Sequence, residues 1–355
     1  MTARERENAT LSFQKPETRG SVEETFYHWK LTLERFSKEG LSDKFLIKRD
    51  RESDYEKYLG VSWGDKVFEL EDSLGFDPVR RISFTLPFGQ KKFNEIKVAS
   101  KNDWYQLKRY AEKELSEYFT DQIIHDVYSP LISNHKKGHY PIRMNIEGFF
   151  WTPRELLGIE PHMYAFFDQP ELLHDINNYI LEIFLEYLTK VLALLPADVL
   201  YIMEDLSGKN GPMLSPDLFE EFVGSYYRKL VPVLKKCGVR HVFVDSDGDF
   251  IKLIPFFIDS GIDGFLPMDV NAGMDIVAVR KKFPGLKFIG GYNKLCIAEG
   301  KDSIDREFKR IMPVIRSGGY IPGTDHQVSP STSLENYMYY IKKLKAAMAY
   351  CGKDI

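Results

Sequence analysis

HVFVDSDG (241–248), GFLPMDV (264–270), KFIGGYNK (287–294) and GYIPGTDH (319–326) are short apolar runs, each closed by acidic or polar residues. Two earlier runs, IRMNIEG (142–148) and VLYIMED (199–205), open the same series. The stretches between them have helical periodicity. In SPDLFEEFVGSYYRKLVPVLKKCG, Ser215 is the expected N-cap and Pro216 takes the first helical position, while lysines fill the last turn and Gly238 stands just past the end. Pro232 is placed to kink that helix. The stretch 172–195 sets Leu173, Ile176, Ile180, Phe184, Tyr187 and Val191 on one face. In TSLENYMYYIKKLKAAM, Thr332 and Glu335 have the spacing of a capping box. Nearly continuous apolar strands separated by helices imply a parallel sheet covered by helices. Six such units follow residue 140, and there is room for two before it, which totals the eight of an α/β (β/α)8 TIM barrel. An open doubly wound sheet would carry a Gly-rich phosphate turn, and no G-x-G-x-x-G or Walker sequence occurs.

Outward from this core, residues 1–140 read as an N-terminal arm, helices and the first barrel elements, and residues 140–355 as the remainder of a single barrel. MTARERENATLSFQKPETRG (1–20) is polar, lacks the apolar core of a signal peptide, and reads as a loosely held arm. A helix is expected through SVEETFYHWKLTLERFSKEG (21–40), with Phe26, Trp29, Leu33 and Phe36 on one side and Gly40 as its stop. RISFTLPF (81–88) reads as a strand and DWYQLKRYAEKELSEYF (103–119) as a helix. The rest of 44–140 has no clear pattern, and a lid over the barrel mouth is expected there. The formal charge of −4 over 355 residues argues against a nucleic-acid partner. No apolar run approaches the roughly 20 residues that span a bilayer. Cys237, Cys296 and Cys351 form no disulfide framework or metal motif, and the cytoplasm is the expected compartment.

The strand ends carry, in order, Glu147; Glu204 and Asp205; Asp245, Asp247 and Asp249; Asp269; Asn293 and Lys294; then Asp325 and His326. In a barrel these ends share one face, where active sites form. Burying an unpaired carboxylate costs several kcal/mol, so this many acidic ends imply a polar pocket. Taken singly, each has a plainer use: Asp and Asn after a strand commonly shape the next turn, and Asp249 is placed to cap. Asp245 and Asp247 alternate and so project to the same side, with Gly248 permitting a sharp turn beside them. Carboxylates held that close suit acid–base work or cation binding. His326 is placed as a proton shuttle, a metal ligand or a structural imidazole. Phe149, Phe150 and Trp151 would wall a flat substrate or belong to the core. His135 and His139 fall in a polar stretch and read as solvated, and His28 reads as packing. There is no H-E-x-x-H or G-x-S-x-G sequence.

Five segments, NIEGFFWTPRELLG (145–158), YIMEDLSGKNGPMLSPDLFEEF (201–222), VFVDSDGDFIKLIPFFIDSGIDGFLPMDVNAGMD (242–275), FIGGYNK (288–294) and GGYIPGTDHQVSPSTSLENYMYYIKKL (318–344), together resemble the uroporphyrinogen decarboxylase superfamily, in both its decarboxylase and its corrinoid-linked methyltransferase branches. The resemblance implies a distorted (β/α)8 barrel. Decarboxylases of this type carry an M-R-Q-A-G-R-Y segment that grips the substrate's carboxylates. Here the region offers only the scattered Arg49, Arg51, Arg80 and Arg81, and RISFTLPFG lacks the early Asp of that branch. The methyltransferases carry His-x-Cys-Gly where this chain has Asp245-Ser246-Asp247-Gly248, and a further Cys near His326. The resemblance therefore implies Asp245, Asp247 and His326 as the metal-ligand positions, with carboxylates where that branch has His and Cys and with the thiolates missing. Such a set would hold a hard divalent metal ion or an open-sited zinc, bind a cationic substrate, or run acid–base chemistry without metal. The implied function is a methyltransferase that demethylates a small methylated compound, with a corrinoid protein as acceptor and partner. In that reading Asp245, Asp247 and His326 are catalytic. Glu204 and Asp205 orient the substrate, Glu147, Asp269, Asn293 and Asp325 also face it, and Phe149, Trp151 and Tyr292 form an apolar wall. The alternatives are a decarboxylase of a porphyrinogen or other carboxylate, and a non-catalytic barrel that binds a tetrapyrrole or corrinoid.

Overall fold

The computed structural model describes residues 1–26, 28–46, 58–61, 64–88 and 97–354, so Arg49 and Arg51 lie outside it. The main sheet contains β1 (Leu59–Val61), β2 (Arg80–Phe84), β3 (Ile142–Glu147), β4 (Val199–Met203), β5 (His241–Asp245), β6 (Gly264–Leu266), β7 (Lys287–Tyr292) and β8 (Tyr320–Thr324), paired in chain order. The six runs read after residue 140 are β3 to β8. Strands β2 to β8 run parallel, whereas β1 is antiparallel to β2. This is an α/β TIM-barrel architecture, with one parallel strand before residue 140 among the described residues instead of two.

Between β8 and β2 the wall is bridged by the extended segment 21–26. Val22 exchanges hydrogen bonds with Asp77 (2.9 and 2.7 Å), Arg81 Nη2 donates to the Glu24 carbonyl (2.8 Å), and the Glu24 carboxylate accepts from Thr324 N (2.9 Å) and Tyr337 OH (3.0 Å). These bonds need an extended backbone. The helix expected over 21–40 is accordingly shorter, Lys30–Lys38, with Leu33 and Phe36 buried but Trp29 47% exposed. Gly40, just beyond it, has φ 111°.

The expected loose arm is a docked helix, Ala3–Leu11, started by a Thr2–Glu5 capping box. It closes the floor of the barrel. Arg4 Nε lies 2.8 Å from Asp198 Oδ1, and Arg143 Nη2 lies 2.9 Å from Glu7 Oε2 and also pairs with Glu23. Leu11 packs into the barrel interior with Val199, Phe243, Leu266, Ile289 and Ile321. The polarity that suggested solvation is what meets the charged interior. His135, read as solvated, is buried at a helix end with Nε2 2.8 Å from Asp198 Oδ2.

In the outer layer Ser215 caps Pro216–Phe219 by accepting from Leu218 N (3.3 Å), and the helix continues through a π-turn, Glu220–Gly224, into Ser225–Lys236. Helix Leu334–Met348 is capped by Ser333, which accepts from Asn336 N (3.2 Å), and not by Thr332, whose buried hydroxyl has no hydrogen-bond partner among the described residues. Residues 101–136 belong to this layer and form no lid: Trp104 Nε1 donates to Asp175 (2.9 Å) and Tyr128 OH to the β2 carbonyl of Ser83 (3.0 Å). Among the described residues no helix is long and apolar enough to cross a membrane.

Candidate active site

The parallel strands end on one face, opposite the N-terminal helix. Register sets Glu147 of β3, Met203 of β4 and Asp245 of β5 level with one another. Beyond β4 the chain turns at Asp205, which holds a left-handed backbone (φ 41°) unusual for a residue with a side chain. Arg154 fixes that turn by donating from Nη1 to the Asp205 carbonyl at 2.7 Å. The Asp205 carboxylate in turn accepts from Asp247 N (3.2 Å), and Asp247 Oδ1 stands 3.0 Å from His326 Nε2. Asp245 lies beside both aspartates and makes no hydrogen bond or ion pair through its carboxylate among the described residues.

Charge crowding has the expected electrostatic result. Burial, reinforced by Asp205 and Asp247, pushes Asp245 well above the ordinary carboxylate range. Burial and then Asp247 raise Asp205. Burial works against the charge on His326, but the Asp247 hydrogen bond and charge prevail and its pKa is raised. Past His326 the arc continues to Asp325, raised chiefly by burial, and Asp269. Asp325 accepts from Lys294 N and Asn271 Nδ2 (both 3.1 Å), and Asn271 also donates to Asn293 Oδ1 at 3.3 Å. Asp269 accepts from Asn271 N and Ala272 N, each at 3.2 Å.

The mouth thus gathers Asp205, Asp245, Asp247, Asp269, Asp325 and His326, with Asn293 at its edge. Other residues proposed from sequence stand apart. Glu204 is fully buried and accepts from the backbone N–H of Phe149 (3.0 Å), Phe150 (2.8 Å) and Trp151 (2.9 Å) and from Tyr227 OH, so it anchors the turn that starts helix Trp151–Leu157. Glu147 accepts from Leu86 N (2.9 Å), and burial lifts it to about 7. Phe149 packs on Phe184, Tyr226 and Tyr227 in the core. Tyr292 is also core, against Phe308 and Tyr340. Trp151 is partly exposed and carries the Arg154 guanidinium 4.2 Å from its ring centre. Two contributors escaped the sequence reading. Phe26, whose ring centre lies 6.2 Å from that of His326, sat in a stretch read as helix. Arg154, in the segment 145–158, has no sequence pattern that sets it apart from other arginines.

A divalent ion has a potential donor set here. Ligand atoms of Asp269, Asp325 and His326 lie within 4.8 Å of one another, which suits an ion preferring oxygen and imidazole. No cysteine belongs to the group, so a thiolate-bound zinc does not fit. Of the three metal positions implied by the resemblance, only His326 is in this cluster.

A (β/α)8 barrel with polar side chains gathered at the C-terminal ends of its strands is the architecture of the barrel enzymes. More particularly, the uroporphyrinogen decarboxylase (URO-D) family model matches residues 130–347, and the chain belongs to that family. The structure resembles a methyltransferase from Methanosarcina mazei with a TM-score of 0.59 at 14% identity, covering 98% of both chains. No curated protein matches the sequence.

Proposed function

We propose that this protein is a methyltransferase that removes a methyl group from a small methylated compound and passes it to a corrinoid carried by a partner protein. The observation that carries this reading is the charge of the mouth. Five aspartates face it, and none is paired with an arginine or lysine side chain among the described residues. A porphyrinogen rich in carboxylates needs dense cationic capture, the opposite of the surface that the described residues form here. Of the arginines weighed from sequence, Arg80 and Arg81 lie at the start of β2, far from its mouth end. Arg80 is stacked on Phe68 and Tyr140, and Arg81 is paired with Glu71.

In methyl transfer the bond from carbon to oxygen or nitrogen breaks, and its electron pair stays on the heteroatom. The methyl group goes to the nucleophilic acceptor. A leaving oxygen or neutral nitrogen needs a proton, and His326, oriented by Asp247, is placed to give one. Asp205 holds the Asp247 backbone, and Arg154 holds Asp205. With His326 neutral, a divalent ion held by Asp269, Asp325 and His326 would supply Lewis acidity in place of that proton. The test is incubation with reduced cobalamin and a panel of methyl ethers and methylated amines. Methylcobalamin should form, while uroporphyrinogen should release no carbon dioxide. Decarboxylation without methyl transfer would refute the proposal.

A further inference from the structure

Buried carboxylates elsewhere in this chain are compensated. Asp198 has Arg4 and His135, Asp77 has Arg6 and Arg19, Glu71 has Arg81, and Asp263 has Lys235 and Lys287. Glu204 has no cation but receives four donors. Asp245 has neither among the described residues. It ends β5 inside the mouth, partly exposed, with a carboxylate that makes no hydrogen bond or ion pair there, flanked by two further aspartates. Among the described residues, three cationic groups border the arc. Arg154 is spent on a backbone carbonyl and on the Trp151 ring, Lys294 lies near Asp325 and His326, and His326 itself is engaged by Asp247.

Resting on the reading of this mouth as the substrate site, we propose that it recognises a small O-methylated compound that also carries a quaternary or protonated tertiary ammonium, whose charge is met by Asp245 while the methyl leaves from the oxygen. A carboxylate in a half-dry mouth attracts a cation far more strongly than a neutral isostere. The unmatched aspartates therefore discriminate by charge. A quaternary ammonium has no N–H to donate and a protonated tertiary one has a single N–H, so one open carboxylate suits it. Aromatic faces complete such a site, and Phe26 and Trp151 border the same arc; Trp151 already has a guanidinium on its ring. A metal ion is the poorer match at Asp245, because the cluster able to surround an ion lies across the mouth at Asp269, Asp325 and His326.

Isothermal titration of the full chain with choline and with its neutral isostere 3,3-dimethylbutan-1-ol tests this directly. Choline should bind at least about tenfold more tightly. Asp245→Asn should remove that preference, weakening choline about tenfold and leaving the alcohol unchanged, with an unfolding temperature no lower than that of the wild type. Equal affinities, no choline binding at all, or an unchanged choline affinity in Asp245→Asn would each overturn the inference. So would Mg²⁺ or Zn²⁺ binding that Asp245→Asn abolishes while choline does not bind. The titration reads recognition alone, so cation binding without any methyl transfer would sink the proposed reaction and leave this inference standing.

Discussion

His326 Nε2 lies 3.0 Å from Asp247 Oδ1, and this contact joins the two arms of the acidic mouth, one from β4 and β5 and the other from β6 to β8. Neither side chain is fully buried, at 23% and 46% exposure, so the pair is available to a substrate and cheap to alter. His326→Ala and Asp247→Asn should each lower methyl transfer by about 10²- to 10⁴-fold, the usual worth of a positioned proton donor. Thermal unfolding should move by only a few degrees. A large fall in stability with activity lost in proportion would make the pair structural.

Glu204 should behave in the opposite way. Glu204→Ala would strand three backbone N–H groups and the Tyr227 hydroxyl in the interior, costing more than about 3 kcal/mol. Gly148→Ala attacks the same anchor, since its Cβ would fall 2.1 Å from the Glu204 carboxyl carbon. Urea denaturation should show both losses. A stable Glu204→Ala protein with only weakened substrate binding would return Glu204 to the substrate site.

Arg143 is buried between Glu7 of the N-terminal helix and Glu23 of the bridging segment. Arg143→Met removes the shared counter-charge and should cost about 3–5 kcal/mol, as does breaking any buried pair from one side. It should also expose residues 1–28 to protease, read by the appearance of a truncated product. Unchanged resistance would mean that the arm is held by other contacts.

Stability should fall in acid through two buried imidazoles. Burial lowers His28 to about 4 and His162 to about 3, both below the ordinary 6.5. The unfolded chain then binds more protons than the folded one below pH 6.5. Stability is therefore full above that pH and declines as pH drops from 6.5 to the folded values, by about 3 kcal/mol for His28 and about 5 kcal/mol for His162. His162 packs at tilted angles between Phe150 and Phe166, so His162→Phe should keep the packing and flatten the loss between pH 6.5 and 3. An unchanged acid profile would contradict this.

The barrel was legible where periodicity is strong. Every apolar run after residue 140 is a parallel strand, because a strand buried on both faces has no polar interruption to blur it. The site was half legible: strand order alone puts Asp205, Asp245, Asp247, Asp269, Asp325 and His326 on one face. What a strand-end residue then touches depends on neighbours distant in sequence. Glu204 and Asp205 are adjacent, yet one turns inward to a helix start 53 residues earlier while the other stays at the mouth. Tyr292 ends β7 but points outward to Phe308 and Tyr340. The arm misled because charged residues usually signal solvent; here Arg4 and Glu7 find buried partners that no local pattern reveals.

The most direct test of the central claim is a side-by-side assay of wild type, Asp247→Asn and His326→Ala for methyl transfer to reduced cobalamin and for decarboxylation of uroporphyrinogen. The wild type should form methylcobalamin from at least one methylated compound, both variants at least about a hundredfold less, and no carbon dioxide should leave the porphyrinogen. Porphyrinogen decarboxylation by the wild type, or methyl transfer that survives both substitutions, would contradict that claim.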